Sequence, residues 1–258
     1  MIKLAPLGVI AGLLCGNTPA KEPLNTPPSV EFGRFPLPLL HTYVESNSGT
    51  PAAKAHLDSP APDDYPPHTM VCFEDAREYP AFKKGPRYFS PGRNSIRVYR
   101  ITQVDQAPYK TIQEDIARLK QLLNGRPKDV PLKDTDDSLP DYPPRNAMHL
   151  FHPKLSYWDA TWGSGLCYLT QFTQEADDFA NNEELTYVLQ GISKDGNFYF
   201  SADFRTTHPK LPSGIDARPK RSTPDSIADI AFLNKQPDDA FTPSLRKVRE
   251  WVSAMKFK

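Results

Sequence analysis

The chain has 258 residues, and its 31 Lys and Arg balance its 31 Asp and Glu, so the formal net charge is zero. A neutral chain without a basic stripe excludes nucleic acid as the expected partner, because phosphates demand clustered Lys and Arg. The chain contains 28 Pro but only 13 Gly. Since Pro continues neither helices nor central strands, long Pro-rich loops are expected.

The first twenty residues have the three-part order of a secretory signal. A charged start at Lys3 precedes an apolar stretch over residues 4–14, and residues 18–20 supply small side chains before a cleavage site. The apolar stretch is too short for a membrane-spanning helix, which needs roughly 20 residues. The sequence therefore predicts export to the periplasm or the outside, as a protein of the cell envelope.

The three cysteines leave two questions open. Cys15 closes the apolar stretch and is a candidate lipid-carrying residue, although Leu14 before it is larger than such signals prefer. A membrane contact is expected only in that lipid-anchored form. Ordinary cleavage near Ala20 leaves Cys72 and Cys167, which are either a disulfide pair in an oxidising compartment or buried free thiols.

The predicted mature chain divides into two parts. Residues 21–67 form a Pro-rich N-terminal segment with one edge strand at residues 30–33, followed by an irregular loop over residues 46–63. Residues 68–258 are long enough to form a single domain with its own core.

The first half of that domain has two predicted strands and one helix. Apolar and β-branched residues at 70–73 and 96–101 indicate strands. An apolar stripe over residues 111–124 predicts a helix that Thr111 caps, with Asp115 mostly on its wet side. Asn124-Gly125 ends this helix.

The second half contains a hairpin and the C-terminal helices. Strands are expected at residues 166–172, 184–192 and 197–204, and Asp195-Gly196 supplies the tight turn between the last two. Helices are expected at residues 226–233 and after a Thr242 cap with Pro243 in the first turn. These elements predict an α+β fold, with an antiparallel sheet and helices packed on one face.

Several motifs in this half occur in a fixed order. They comprise residues 139–147, 163–171, 181–187, 190–192, 195–196, 208–212 and 241–245. In this order they resemble an uncharacterised family of exported, often lipoprotein-like bacterial proteins, although residues 166–167 and 188–189 depart from its pattern. The resemblance implies export and one α+β domain, and it implies no catalytic residue.

A pair of histidines is the main candidate metal motif. His149 and His152 form His-x-x-His, which would place both rings on one face of a helix. Asp159 is the nearest third ligand, and Pro153 argues against a continuous helix here. The alternatives are two structural histidines or the start of a metal site in a metal-assisted hydrolase, and no cofactor is otherwise expected.

The motifs that would supply a catalytic nucleophile are weaker evidence than the histidine pair. Cys167 with a histidine base would be a thiol nucleophile, but a thiol inside an apolar strand behaves as a small hydrophobe. Ser164 stands in Gly-Ser-Gly before a strand, whereas a nucleophile elbow needs Gly-x-Ser-x-Gly before a helix. The sequence therefore favours a non-enzymatic binding or accessory protein.

Aromatic and amide side chains are the remaining candidates for recognition. The aromatic residues either contact a ligand or an envelope protein, or they cover the core of the sheet. The amides either form a polar pocket or tie a loop to the sheet. These candidates are Tyr157, Trp158, Trp162, Gln171, Asn181, Asn182 and Gln190.

Overall fold

The computed structural model describes most of the predicted domain and two short N-terminal pieces. It covers residues 28, 30–31, 41–47, 66–74, 94–105, 110–130, 139–143, 147–173, 179–214 and 226–257. The predicted signal, Cys15 and loop residues 48–63 lie outside the described residues.

A seven-stranded antiparallel sheet organises the fold. Its strands are β2 (His41–Asn47), β3 (His68–Glu74), β4 (Asn94–Arg100), β6 (Ser156–Asp159), β7 (Gly163–Thr170), β9 (Thr186–Ser193) and β10 (Phe198–Arg205). Their order across the sheet is β2-β3-β4-β10-β9-β7-β6. The antiparallel sheet and the α+β class are therefore confirmed.

The hairpin between β9 and β10 forms at the predicted turn. Gly196 has a φ of +71°, a conformation that favours glycine. One carboxylate oxygen of Asp195 accepts hydrogen bonds from the hydroxyl of Ser193 at 2.5 Å and from the backbone N–H of Asn197 at 3.0 Å. The turn sets the register between β9 and β10, in which Ile192 pairs with Tyr199.

The N-terminal segment belongs to the same domain. Its edge strand is β1 (Val30–Glu31), which pairs with β11 (Lys256–Phe257) at the other end of the chain. A second strand, β2, pairs with β3 along seven residues. The expected single strand and the boundary at residue 67 are therefore wrong for this part of the chain, because strand pairing crosses that boundary.

A further two-stranded pair joins β5 (Met148–His149) to β8 (Phe172–Thr173).

The three predicted helices begin and end close to their expected positions, and a short helix after β4 was not predicted. They are α1 (Ile101–Val104), α2 (Lys110–Gly125), α3 (Ser226–Lys235) and α4 (Leu245–Ser253), with a 3-10 turn at Asp238–Ala240. The cap of α4 is Ser244, whose hydroxyl accepts from the Lys247 N–H at 3.3 Å. Thr242 does not cap this helix, since its backbone pairs with Thr207.

Helices cover both faces of the sheet, whereas one covered face was expected. On one face, α2 packs with Leu166, Tyr168 and Val188. On the opposite face, α3 and α4 pack with a larger apolar cluster that includes Cys167 and Leu189. The physical reason is visible in β7 and β9, whose apolar residues are consecutive rather than alternating, so both sides of each strand need cover. No described helix is long and apolar enough to span a membrane.

The sheet order contradicts the disulfide candidate. Cys72 lies on β3 and Cys167 on β7, and three strands separate them. Four strand spacings amount to roughly 19 Å, whereas a disulfide requires Cα atoms within about 7 Å. Cys167 is a free, fully buried thiol.

Cys167 should react with a thiol reagent only after unfolding. Burial raises the pKa of this thiol, so little reactive thiolate forms. We expect a variant with Ser at Cys15 and Cys72 to show no reaction in buffer and one equivalent in denaturant, measured by absorbance of the released reagent. Rapid labelling of the native protein would contradict this burial.

Candidate functional site

One face of the sheet carries buried polar side chains. Strand register places them on the side that faces α2, since Arg97 pairs with Ser201 and Ser201 pairs with Gln190. We call this set the polar sheet face: Arg97, Tyr99, Gln190, Tyr199, Ser201 and Asp203, all of them buried.

The polar sheet face contains an ion pair within the protein interior. Nη1 of Arg97 lies 3.9 Å from Oδ2 of Asp203, and the two side chains are 5% and 3% exposed. The same Arg97 nitrogen donates to the Ser95 hydroxyl at 3.1 Å. Charges buried this deeply lose hydration, so such a pair contributes less to stability than apolar residues of similar size often do.

His68 extends the polar sheet face onto β3. Its ring lies 5.0 Å from the Tyr99 ring, and its Nδ1 is 2.9 Å from the carbonyl oxygen of Pro66. Burial lowers the pKa of His68 to about 4, and the nearby charge of Arg97 acts in the same direction. This imidazole is therefore neutral at neutral pH.

A short segment covers the middle of this face. We call residues 139–143 the strap. The carbonyl oxygen of Pro140 accepts from the Tyr168 hydroxyl at 3.2 Å and from Nε2 of Gln190 at 2.7 Å. The carbonyl oxygen of Tyr142 accepts from the Ser201 hydroxyl at 2.7 Å. Three side chains of the sheet thus hold the strap by its backbone carbonyls.

Two aspartates meet where the strap contacts α2. The backbone N–H of Asp141 donates to Oδ2 of Asp115 at 3.2 Å. The pKa of Asp115 is raised to about 7, chiefly by burial and then by the adjacent charge of Asp141. The expected position of Asp115 on the wet side of the helix is wrong, because the strap lies against that side.

His149 connects this acid pair to the interior. Its Nε2 lies 3.4 Å from Oδ2 of Asp141, and its Nδ1 lies 3.2 Å from the Thr170 hydroxyl. Acid, imidazole and hydroxyl stand in the order of a nucleophile and its base. The Thr170 hydroxyl is fully buried. The row joins the strap to the interior through the contact between His149 and Asp141.

The histidine pair takes a different arrangement from the predicted one. His149 lies on β5 rather than on a helix, and the buried His152 contacts the carbonyl oxygen of Val130 through Nε2. Burial lowers the pKa of His152. Within the described ranges, no group of three or more His, Cys, Asp or Glu side chains is arranged to hold a metal ion.

The predicted amide residues tie a loop to the sheet. Oε1 of Gln171 accepts from the side-chain amide of Asn181 at 3.2 Å, and Asn181 Oδ1 accepts from the backbone N–H groups of residues 183 and 184. The side-chain amide of Asn182 donates to the carbonyl oxygens of His208 and Leu211. Gln190 lies apart from these three, on the polar sheet face.

Replacing Asn181 should destabilise the protein. Asn181→Ala removes the acceptor for two backbone N–H groups and the donor to Gln171, and unmet buried groups cost about 1–3 kcal/mol each. We expect a loss of about 2–4 kcal/mol in the free energy of unfolding, measured with denaturant. The control is Asn124→Ala, on the exposed end of α2, which should leave the free energy of unfolding unchanged. An equal loss of stability in both variants would contradict the role of Asn181 in holding the loop to the sheet.

The tryptophans lie against the core. The Trp158 side chain is buried over two glycines, and its indole N–H donates to the Leu166 carbonyl at 3.3 Å. The indole N–H of the half-buried Trp162 donates to the Val252 carbonyl at 3.1 Å. Tyr157 is more open, and the Arg126 guanidinium lies 5.8 Å from its ring centre.

Sequence reasoning missed most of the residues of the polar sheet face and the strap. Gln190 and His149 were candidates, but Arg97, Asp203 and Asp141 were not. Arg97 and Asp203 are charged residues between apolar neighbours in their strands. Such alternation predicts a half-buried strand whose polar side faces water, so the local sequence carries no signal for the burial of these charges.

Comparison of the chain with models of known protein families, with curated proteins and with solved structures finds no match.

Proposed function

We propose that this chain is an exported cell-envelope protein that binds a small polar ligand or an envelope partner, without catalysis, at the polar sheet face. The observation that carries the proposal is the burial of the Arg97–Asp203 ion pair beside Gln190 and Tyr199. A face selected for stability alone would be apolar, because buried ion pairs add little to stability. Departures from the rule that buried positions are apolar concentrate at functional sites.

The chemistry of this face favours a ligand with both hydrogen-bond donors and acceptors. Arg97 and Asp203 offer opposite charges, and the Tyr199 hydroxyl and the Gln190 amide, now 2.9 Å apart, offer neutral partners. A ligand that replaces these internal bonds with its own keeps every buried group satisfied. Apolar compounds would leave them unmatched, so they should bind weakly.

The proposed export rests on the three-part order of residues 1–20. Expression in a bacterial host, followed by mass spectrometry of the mature N-terminus, tests it directly. A start at Lys21 supports ordinary cleavage, and a diacylglycerol mass on Cys15 supports the lipid-anchored form. An intact Met1 in a cytoplasmic fraction would overturn the export proposal.

A ligand screen by thermal unfolding tests the binding proposal. The panel contains amino acids, sugars, nucleotides and divalent metals. A ligand present at a hundred times its dissociation constant stabilises the native state by about 2.7 kcal/mol. For each compound that shifts the midpoint, we expect Tyr199→Phe to weaken binding, since the variant removes one hydroxyl of the polar sheet face and keeps the ring.

The matched control is Tyr187→Phe. Tyr187 is equally buried, but it lies on the opposite face, where its hydroxyl accepts from Arg249 at 2.9 Å. This variant should retain full ligand affinity. Equal losses in both variants would overturn the placement of the site, and a Zn²⁺ shift abolished by His152→Ala would favour the metal-assisted hydrolase instead.

A further inference from the structure

The strap is fastened along both of its sides. On the sheet side, the carbonyl oxygens of Pro140 and Tyr142 accept three side-chain hydrogen bonds. The Tyr142 ring packs edge-on against the Tyr99 ring, with 5.3 Å between their centres. On the helix side, the fastening is the bond between the Asp141 N–H and the Asp115 carboxyl. Closure of the strap therefore depends on an acidic group.

The acidic fastening is also where like charges meet. The Asp141 side chain is 20% exposed, so it reaches water, and Asp115 is half-buried against the strap. When both carboxyls are ionised, they repel each other across a partly desolvated contact. When Asp115 is protonated, that repulsion disappears and its carbonyl oxygen still accepts from the Asp141 N–H.

We infer that the strap is a proton-controlled cover over the polar sheet face, closed while Asp115 holds its proton and released when Asp115 ionises beside Asp141. Residues 139–143 move as the unit, because their fastenings to Tyr168, Gln190 and Ser201 share one short stretch of backbone. The functional importance of the cover rests on the proposed function, since the strap closes the face that would bind the ligand.

The groups that surround Asp115 set the direction of the response. Burial is the largest cause of the raised pKa, followed by the charge of Asp141, and Glu114 acts in the same direction. The hydrogen bond from the Asp141 N–H favours the ionised carboxyl and lowers the pKa, but by less than the Asp141 charge raises it, and His149 also lowers the pKa. Beneath the pair, burial raises the pKa of Tyr199, and Asp115 and the Tyr168 hydroxyl of β7 act in the same direction. The Tyr199 hydroxyl therefore stays protonated, and ionisation of Asp115 changes the charge between pH 6 and 8.

Hydrogen exchange of the Asp141 amide measures the release directly, because this N–H is the one bonded to Asp115. Exchange is measured on the full chain at pH 6 and pH 8. The rates are converted to protection factors, which correct for the intrinsic pH dependence of exchange. Across this interval the ionised fraction of an acid with a pKa of about 7 rises roughly tenfold. We expect the protection of Asp141 and Tyr142 to fall by about the same factor.

Asp115→Asn should remove this pH dependence, since the amide keeps an acceptor for the Asp141 N–H and cannot ionise. Asp141→Asn should weaken the dependence, because it removes the like charge on the strap. Glu114→Gln is the matched control, an exposed acid on the same helix, and it should keep most of the response. Equal protection at both pH values, or an unchanged response in Asp115→Asn, would overturn the inference. Because the exchange is measured without ligand, a failed ligand screen would leave this result intact.

Discussion

Gly165→Ala should reduce the free energy of unfolding by at least about 3 kcal/mol, the upper part of the range for overpacked cores. A Cβ atom at this position would overlap the indole of Trp158 and the carbonyl oxygen of Gln190. The carbonyl belongs to the neighbouring strand, which cannot move without breaking the ladder between β7 and β9. Denaturant unfolding followed by circular dichroism measures the loss.

Gly125→Ala supplies the control for this experiment. An added Cβ at Gly125 would lie 3.8 Å from Cδ of Pro127, an ordinary contact, and Ala is favoured over Gly in a helix by about 1 kcal/mol. We expect this variant to be as stable as the parent or slightly more stable. A Gly165→Ala protein with parental stability would show that the indole does not occupy the space above the glycine.

A double-mutant cycle separates the two overlaps. Trp158→Leu removes the ring above Gly165 and by itself costs stability, because the indole fills part of the core. In the double variant, Ala at 165 meets only the Gln190 carbonyl, so its added cost should be smaller than in the parent. Strict additivity of the two losses would contradict direct contact between these positions.

The elements with strong local patterns could be predicted from the sequence. Helix α2 has an apolar stripe at helical spacing, and the hairpin of β9 and β10 has Asp195-Gly196 between two apolar runs. These signals are local, so they do not depend on distant parts of the chain. The strand β2 lacks such a signal, and it forms because β3 offers seven partners along its edge.

The placement of helices on the two faces of the sheet depends on information that short stretches of sequence do not contain. The run at residues 166–169 is apolar on both sides of the strand, and this pattern indicates cover on both faces. Which helix covers which face depends on contacts between residues far apart in sequence. The assignment of helices to one face failed for this reason.

The candidate site was predicted least well. Residues 139–143 have the composition of a loop, and their bonding partner Gln190 is 50 residues away along the chain. Asp115 fits the polar side of an amphipathic helix, and the strap makes that position half-buried. Local periodicity indicates which side of an element is polar, and it cannot indicate which loop will lie over that side.

Asp115→Asn should make the protein more stable at pH 8 and leave its stability nearly unchanged at pH 4. The pKa of Asp115 is raised from 3.8 to about 7, chiefly by burial, so the folded state holds this proton more tightly than the unfolded state. The stabilising contribution is complete below pH 3.8 and is lost as the pH rises through about 7. The loss is at most about 4 kcal/mol, since one pKa unit corresponds to about 1.4 kcal/mol.

Denaturant unfolding at intervals between pH 4 and pH 8 measures this difference for the parent and the variant. The parent should lose stability relative to Asp115→Asn steadily between about pH 4 and pH 7, with little further loss above about pH 7, and Glu114→Gln should follow the parent. Parallel curves for parent and Asp115→Asn would mean that Asp115 titrates as an exposed carboxyl. In that case the acid pair would impose no cost on closing the strap, and the polar sheet face would need another means of opening.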